Sequence, residues 1–122
     1  EIKKVYNKFL NIENIIIPRT NSFSKSTFHL YVIQVKPNKI KKIFRDSLLK
    51  ELRNKKINAT IHYIPIHYHP YYKKIGFKKN QFKNSEKFYE QAISLPIHPA
   101  LKLSEVKYVI KIIKKYIEKR ND

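Results

Sequence analysis

Apolar residues recur at helix or strand spacing along most of the chain, and prolines and short polar runs punctuate them. Ile2, Val5, Tyr6, Phe9 and Leu10 are three and four apart, which predicts a helix over residues 1–10 that Asn11 to Asn14 breaks. Ile15 to Ile17 reads as a short extended piece stopped by Pro18. A loop rich in Ser, Thr and Asn follows over residues 19–27. From Phe28 to Val35 both alternating sets are mostly apolar (Phe28, Leu30, Val32 and Tyr31, Ile33, Val35), predicting an interior strand covered on both faces. Pro37 and Asn38 open a helix predicted from about Lys39 to Lys55. Its buried stripe is Ile40, Phe44, Leu48 and Leu52, with Ile43 alongside. A second strand, Ala59 to Ile64, ends at Pro65.

Beyond it, Pro70 suits the first turn of a short helix, where its missing N–H costs nothing. The only glycine, Gly76, follows that turn with Phe77 behind it, the arrangement of a left-handed C-terminal cap with an apolar residue after it. A helix over about Phe82 to Ala92 and a short strand from Ile93 to Leu95 precede Pro96. Ser104 is the expected cap of a last helix, with Val106, Val109, Ile110, Ile113 and Ile117 on one stripe. Strands and helices interleave as a small α/β or α+β layer, one sheet with helices on it, and the pattern leaves strand direction open.

Composition narrows the class. At 122 residues the chain fits one domain, with no internal repeat. It has no cysteine, which removes disulfide scaffolds and cysteine-ligated metals. Its apolar runs are a few residues long, against the ~20 of a membrane span, and no secretory signal pattern is present. The expectation is a soluble, cytoplasmic piece, without a membrane partner, whose native start lies elsewhere, since it begins at Glu1 and has no methionine. Lys plus Arg number 27 against 9 acidic residues, a formal net charge of +18. Such a balance suits a polyanion partner. Yet 23 of the 27 are lysine, beside 19 Ile, 10 Asn, 9 Tyr and 7 Phe, all with AT-rich codons. Genome composition accounts for much of that charge, and nucleic acid is not the expected partner.

The densest chemistry lies from Ile61 to Tyr72, which holds three of the five histidines and four of the nine tyrosines. His62, His67 and His69 are potential zinc ligands, but no nearby carboxylate completes or orients such a site. The tyrosines amid lysines could stack bases, as a stand-alone basic nucleic-acid-binding module would, without any recognisable RNA-binding signature. The third reading is plain packing, with His62 a satisfied core histidine. Arg45 and Asp46 read as surface or capping charges.

Five stretches, in order, resemble the C-terminal small domain of the DegT/DnrJ family of PLP-dependent nucleotide-sugar aminotransferases. They are Phe28-His29-Leu30-Tyr31-Val32-Ile33; Arg45-Asp46 with Leu48, Leu52 and Ile57; the run His62-Tyr63-Ile64-Pro65-Ile66-His67 with His69-Pro70-Tyr71-Tyr72; Gly76-Phe77 with Phe82, Ser85-Glu86 and Phe88-Tyr89; and Ser94-Leu95-Pro96 with Pro99. Departures are Lys56 where the family has glycine, Asn58 after Ile57, and His98 where an aromatic is usual. The third stretch points within the family to the UDP-4-amino-4,6-dideoxy-N-acetyl-altrosamine transaminases of pseudaminic acid synthesis. The resemblance implies an α+β fold, the small domain of fold-type I aminotransferases, with a small, largely antiparallel three-stranded sheet and helices packed on it. It implies that residues 1–27 are the end of an interdomain helix with its connecting loop, and residues 28–122 the small domain. Pyridoxal 5'-phosphate and its Schiff-base lysine then belong to a large domain absent from this chain, so no catalytic residue and no metal site are expected here, and the fragment alone is expected to be inactive. Glutamate and a UDP-linked 4-keto sugar would be the substrates of a homodimeric enzyme. The candidate substrate contacts are Tyr63 and His67, then His69, Tyr71 and His29.

Overall fold

The computed structural model describes residues 1–40 and 43–120. The element order is α1 (Ile2–Leu10), β1 (Ile15–Ile16), β2 (Tyr31–Val35), α2 (Arg45–Asn54), a 3-10 turn (Ile66–Tyr68), α3 (Pro70–Lys74), α4 (Lys83–Gln91), β3 (Ala92–Leu95) and α5 (Leu103–Glu118). The sheet runs β1-β2-β3 and is antiparallel at both seams, with Ile15 opposite Val35 and Ile33 opposite Ile93. Helices pack on this small antiparallel sheet, the α+β architecture expected. β2 is the central strand. Tyr31, Ile33 and Val35 are buried on one face, while Val32 and Gln34 are half-buried on the other. α5 lies against α1 and α2 and sends Val106, Val109, Ile110, Ile113 and Ile117 into the core, the stripe read from its spacing. Tyr6 on α1 donates its hydroxyl to the Pro96 carbonyl at 2.9 Å, tying α1 to the chain just past β3.

Four boundaries differ from the sequence reading, each for a local reason. β2 begins at Tyr31 rather than Phe28, because Phe28 has φ +52°, a left-handed conformation that no strand accommodates. α2 begins at Arg45 rather than Lys39. Asn38 and Ile43 instead exchange two backbone hydrogen bonds of 2.9 Å, and Phe44 is extended. Ile43 still reaches the core, but Ile40, expected in the stripe, is 94% exposed. Lys41 and Lys42, part of that predicted helix, lie outside the described residues. The predicted strand from Ala59 to Ile64 is a single antiparallel bridge, Thr60 with Ser94. Beyond Thr60 the His62 imidazole bonds the Ser94 hydroxyl at 2.8 Å, so a side chain replaces the next rung of the ladder. β1 supplies the third strand. Finally, Ser104 does not cap α5. The cap lies two residues earlier, at Lys102, whose N–H donates to the Glu105 carboxylate at 2.8 Å.

Two helices end in the same left-handed cap. After α3, the N–H groups of Gly76 and Phe77 return to the carbonyls of Lys73 and Tyr72 at 3.1 and 3.0 Å, with Gly76 at φ +109°. The Tyr72 and Phe77 rings meet across it, 6.1 Å between centroids. After α2, Lys56 and Ile57 make the equivalent bonds to Arg53 and Leu52 at 2.9 and 3.0 Å. Here a lysine holds the left-handed position, at φ +60°. A side chain there costs about 1–2 kcal/mol, partly offset by glycine's larger entropy loss on folding. Lys56→Gly is therefore expected to raise stability by about 0.5–1 kcal/mol in urea denaturation. A lower midpoint would show that the lysine stem contributes packing there.

Candidate functional site

The segment from Ile61 to Tyr72 leaves the sheet at the Thr60–Ser94 bridge and crosses the surface as a 3-10 turn running into α3. Pro65 enters the turn and is buried; Pro70 fills the first position of α3. Between these anchors the side chains alternate between core and solvent. Tyr63 is 75% exposed and Tyr71 66%, with Ile64 and Ile66 exposed beside them and His69 open to solvent. So many large apolar and aromatic side chains on one short segment form a surface of the kind that binds something.

His67, named with Tyr63 as a leading candidate substrate contact, is not exposed like Tyr63. It is only 6% exposed, and its Nε2 lies 2.8 Å from Oε1 of Glu86 on α4, itself 5% exposed. Glu86 also accepts the backbone N–H groups of Asn80 at 2.9 Å and Phe82 at 3.3 Å, and its charge acts on the Tyr68 phenol. Burial pushes this carboxyl upward, but the bonds from His67, Asn80 and Phe82, together with the Tyr68 hydroxyl, outweigh it and hold the group down at about 2. The Tyr68 phenol is pushed up to about 12, first by desolvation and then by that carboxylate. With Glu86 ionised, Nε2 of His67 is the donor, and only Nδ1 remains for any other partner. The Phe82 ring lies 4.8 Å from the His67 ring, and the two help line an open pocket of about 320 Å³ with Ile66, Tyr72 and Phe77.

The remaining residues separate into distinct places. His62 is half-buried with Ser94 as its partner and its ring 4.6 Å from that of Tyr63, in keeping with a packing role. His29 is exposed and lines another cleft, of about 1010 Å³, with Lys3, Lys25, Phe28 and His98, so it does not join the 61–72 segment. Among the described residues no group of three or more His, Asp or Glu side chains could hold a metal ion, so the structure does not bring His62, His67 and His69 together. Arg45, read as a surface charge, is buried at 9% exposure. Its guanidinium lies over the Tyr89 ring at 5.2 Å, while Nε sits 2.6 Å from the exposed Asp46. A planar guanidinium can cover an aromatic face in this way, which explains its burial. Sequence reasoning gave Glu86 no role of its own. The available signal was a lone glutamate in the first turn of a helix, in a chain with only nine acidic residues.

The sequence matches the DegT/DnrJ/EryC1/StrS aminotransferase family over residues 1–114. The chain belongs to that family. It is 38% identical over 119 residues to protein MJ1066 of Methanocaldococcus jannaschii, covering 96% of this chain and 31% of that protein. Spr1654 from Streptococcus pneumoniae, assigned as a sugar aminotransferase and solved in its PLP form, superposes with a TM-score of 0.85 at 28% identity, over 98% of this chain and 30% of that one. Helicobacter pylori PseC, an aminotransferase of pseudoaminic acid biosynthesis, gives 0.82 at 27% identity, over 97% and 31%. This DegT/DnrJ chain thus spans about a third of the length of the proteins it matches. The described lysines do not fit a PLP-binding role in this chain. Among the described residues every lysine is exposed or half-buried, whereas an imine-forming lysine needs a desolvated or cationic pocket that lowers its pKa. No described helix is long and apolar enough to cross a membrane.

Proposed function

We propose that this chain is the C-terminal small domain of a cytoplasmic, homodimeric enzyme that moves an amino group from glutamate to the keto carbon of a UDP-linked 4-keto sugar, of the kind used in pseudaminic acid synthesis. The observation that carries the reading is the exposure of Tyr63, His69 and Tyr71 on one segment that is fixed to β3 where it starts and to α4 at His67. Phenol and imidazole groups donate to the hydroxyls, keto oxygen and diphosphate of such a substrate, and a tyrosine ring offers a face to a sugar or base. Binding groups on a surface segment held by a rigid scaffold are a common arrangement. The similarity to PseC over nearly the whole chain supports the pathway assignment. Pyridoxal 5'-phosphate is assigned to the part of the longer polypeptide that precedes residue 1 of this chain. The domain's own task is to cover the substrate and orient it.

Amine transfer tests the reading. The longer polypeptide, incubated with ¹⁵N-glutamate and a UDP-4-keto sugar, is expected to give a ¹⁵N-amino sugar detectable by mass spectrometry. Turnover of other keto substrates with no labelled nucleotide sugar would contradict it.

A further inference from the structure

The part of the molecule that the proposed function leaves unused is the buried carboxylate of Glu86. Among the described residues it is one of five buried polar or charged ones, and both of its oxygens accept hydrogen bonds. Three donors converge on it from two separate stretches. The His67 ring comes from the 3-10 turn, and the N–H groups of Asn80 and Phe82 come from the loop leading into α4. The element that carries Glu86 is tied further back, since Arg45 on α2 stacks on Tyr89 one turn along α4. Besides these bonds, the 66–68 turn meets the α4 region through two ring contacts, His67 with Phe82 at 4.8 Å and Tyr68 with Tyr89 at 6.3 Å between centroids. Its neighbours Ile64, Ile66, His69 and Tyr71 all face solvent, and α3 has no buried residue.

We propose that Glu86 is a positioning residue: it clamps the Ile61–Tyr72 segment to α4, fixes the His67 ring with Nε2 as donor, and so sets where Tyr63 and Tyr71 stand. His67 is then a strut of the substrate-facing segment rather than a contact made through Nε2. The carboxylate suits this task because every partner is a donor. An amide in its place would point N–H groups at N–H groups, and aspartate would be one methylene short of reaching both stretches. The functional half of the proposal rests on the sugar-aminotransferase reading; the structural half stands without it.

Two measurements on wild type, Glu86→Gln and Glu86→Asp keep these apart. In the purified chain, long-range ¹H–¹⁵N spectra of the His67 ring are expected to show a single tautomer with a proton on Nε2. Hydrogen exchange is expected to show residues 61–72 and the Asn80 and Phe82 amides opening at least tenfold faster in Glu86→Gln, with β2 and β3 unchanged. Partial restoration is expected in Glu86→Asp. A proton on Nδ1, or equal acceleration throughout the sheet, overturns the clamp. In the longer polypeptide, Glu86→Gln is expected to raise KM for the UDP-sugar about tenfold while KM for glutamate stays within twofold. Equal changes in both overturn the positioning role. If the wild type transfers no amine to the sugar, the functional reading fails, and the ring spectra and exchange rates still decide the clamp.

Discussion

Ile33→Ala is expected to cost about 2–5 kcal/mol, a large part of the roughly 5–15 kcal/mol that holds a domain of this kind together. Ile33 sits at the centre of the central strand, is fully buried, and faces Ile93 across the β2–β3 seam. Its neighbours in the core come from β3 and the surrounding helices, so collapse around a smaller side chain would have to move several elements at once. Ile40→Ala provides the contrast. The residue is 94% exposed in the loop before α2, and its truncation should change stability by less than about 0.5 kcal/mol. Thermal or urea denaturation of both variants checks the pair. A large loss at Ile40 would mean that the helix extends back toward Lys39, as its spacing suggests.

That contrast shows what the residue pattern can and cannot carry. Ile40, Phe44, Leu48 and Leu52 satisfy helical spacing perfectly, yet only Leu48 and Leu52 are buried in α2. Periodicity records which residue types recur, not where the backbone turns, and the Asn38–Ile43 bridge is a turn that spacing does not reveal. The Gly76–Phe77 cap was legible because glycine and an apolar follower have a local steric reason to be there. Its twin at Lys56 was hidden by the lysine, although the same backbone bonds form. The family was legible in the ordered stretches between Phe28 and Pro99, and with it the α+β architecture. The strand between Ala59 and Ile64 was not, since alternating apolar residues look alike whether they make a full ladder or one bridge. Least legible was the His67–Glu86 pair. The two are 19 residues apart, and only the path of the chain through α3 and its cap brings them together.

This last point changes which substitution informs on substrate binding. His67→Ala would strand a buried carboxylate, so a loss of activity there mixes folding with recognition. Tyr63 carries no such burden. Its ring is largely in solvent, and no hydrogen bond to its hydroxyl occurs among the described contacts. Tyr63→Phe removes one donor and leaves the ring, the His62 contact and the Glu86 cluster in place. If the hydroxyl bonds a neutral or charged oxygen of the nucleotide sugar, its loss costs about 1–3 kcal/mol in kcat/KM, roughly 5- to 150-fold. The uptake of amine from glutamate needs none of the sugar or nucleotide contacts and should stay within about twofold.

The decisive measurement is single-turnover rates for both halves of the reaction in the longer polypeptide, wild type against Tyr63→Phe. Slow delivery of the amine to the UDP-sugar, normal uptake from glutamate and an unchanged melting temperature are expected. Equal slowing of both halves, or no slowing of either, would contradict the assignment of Tyr63 to the sugar and return the exposed Tyr63 and Tyr71 to a role outside substrate recognition.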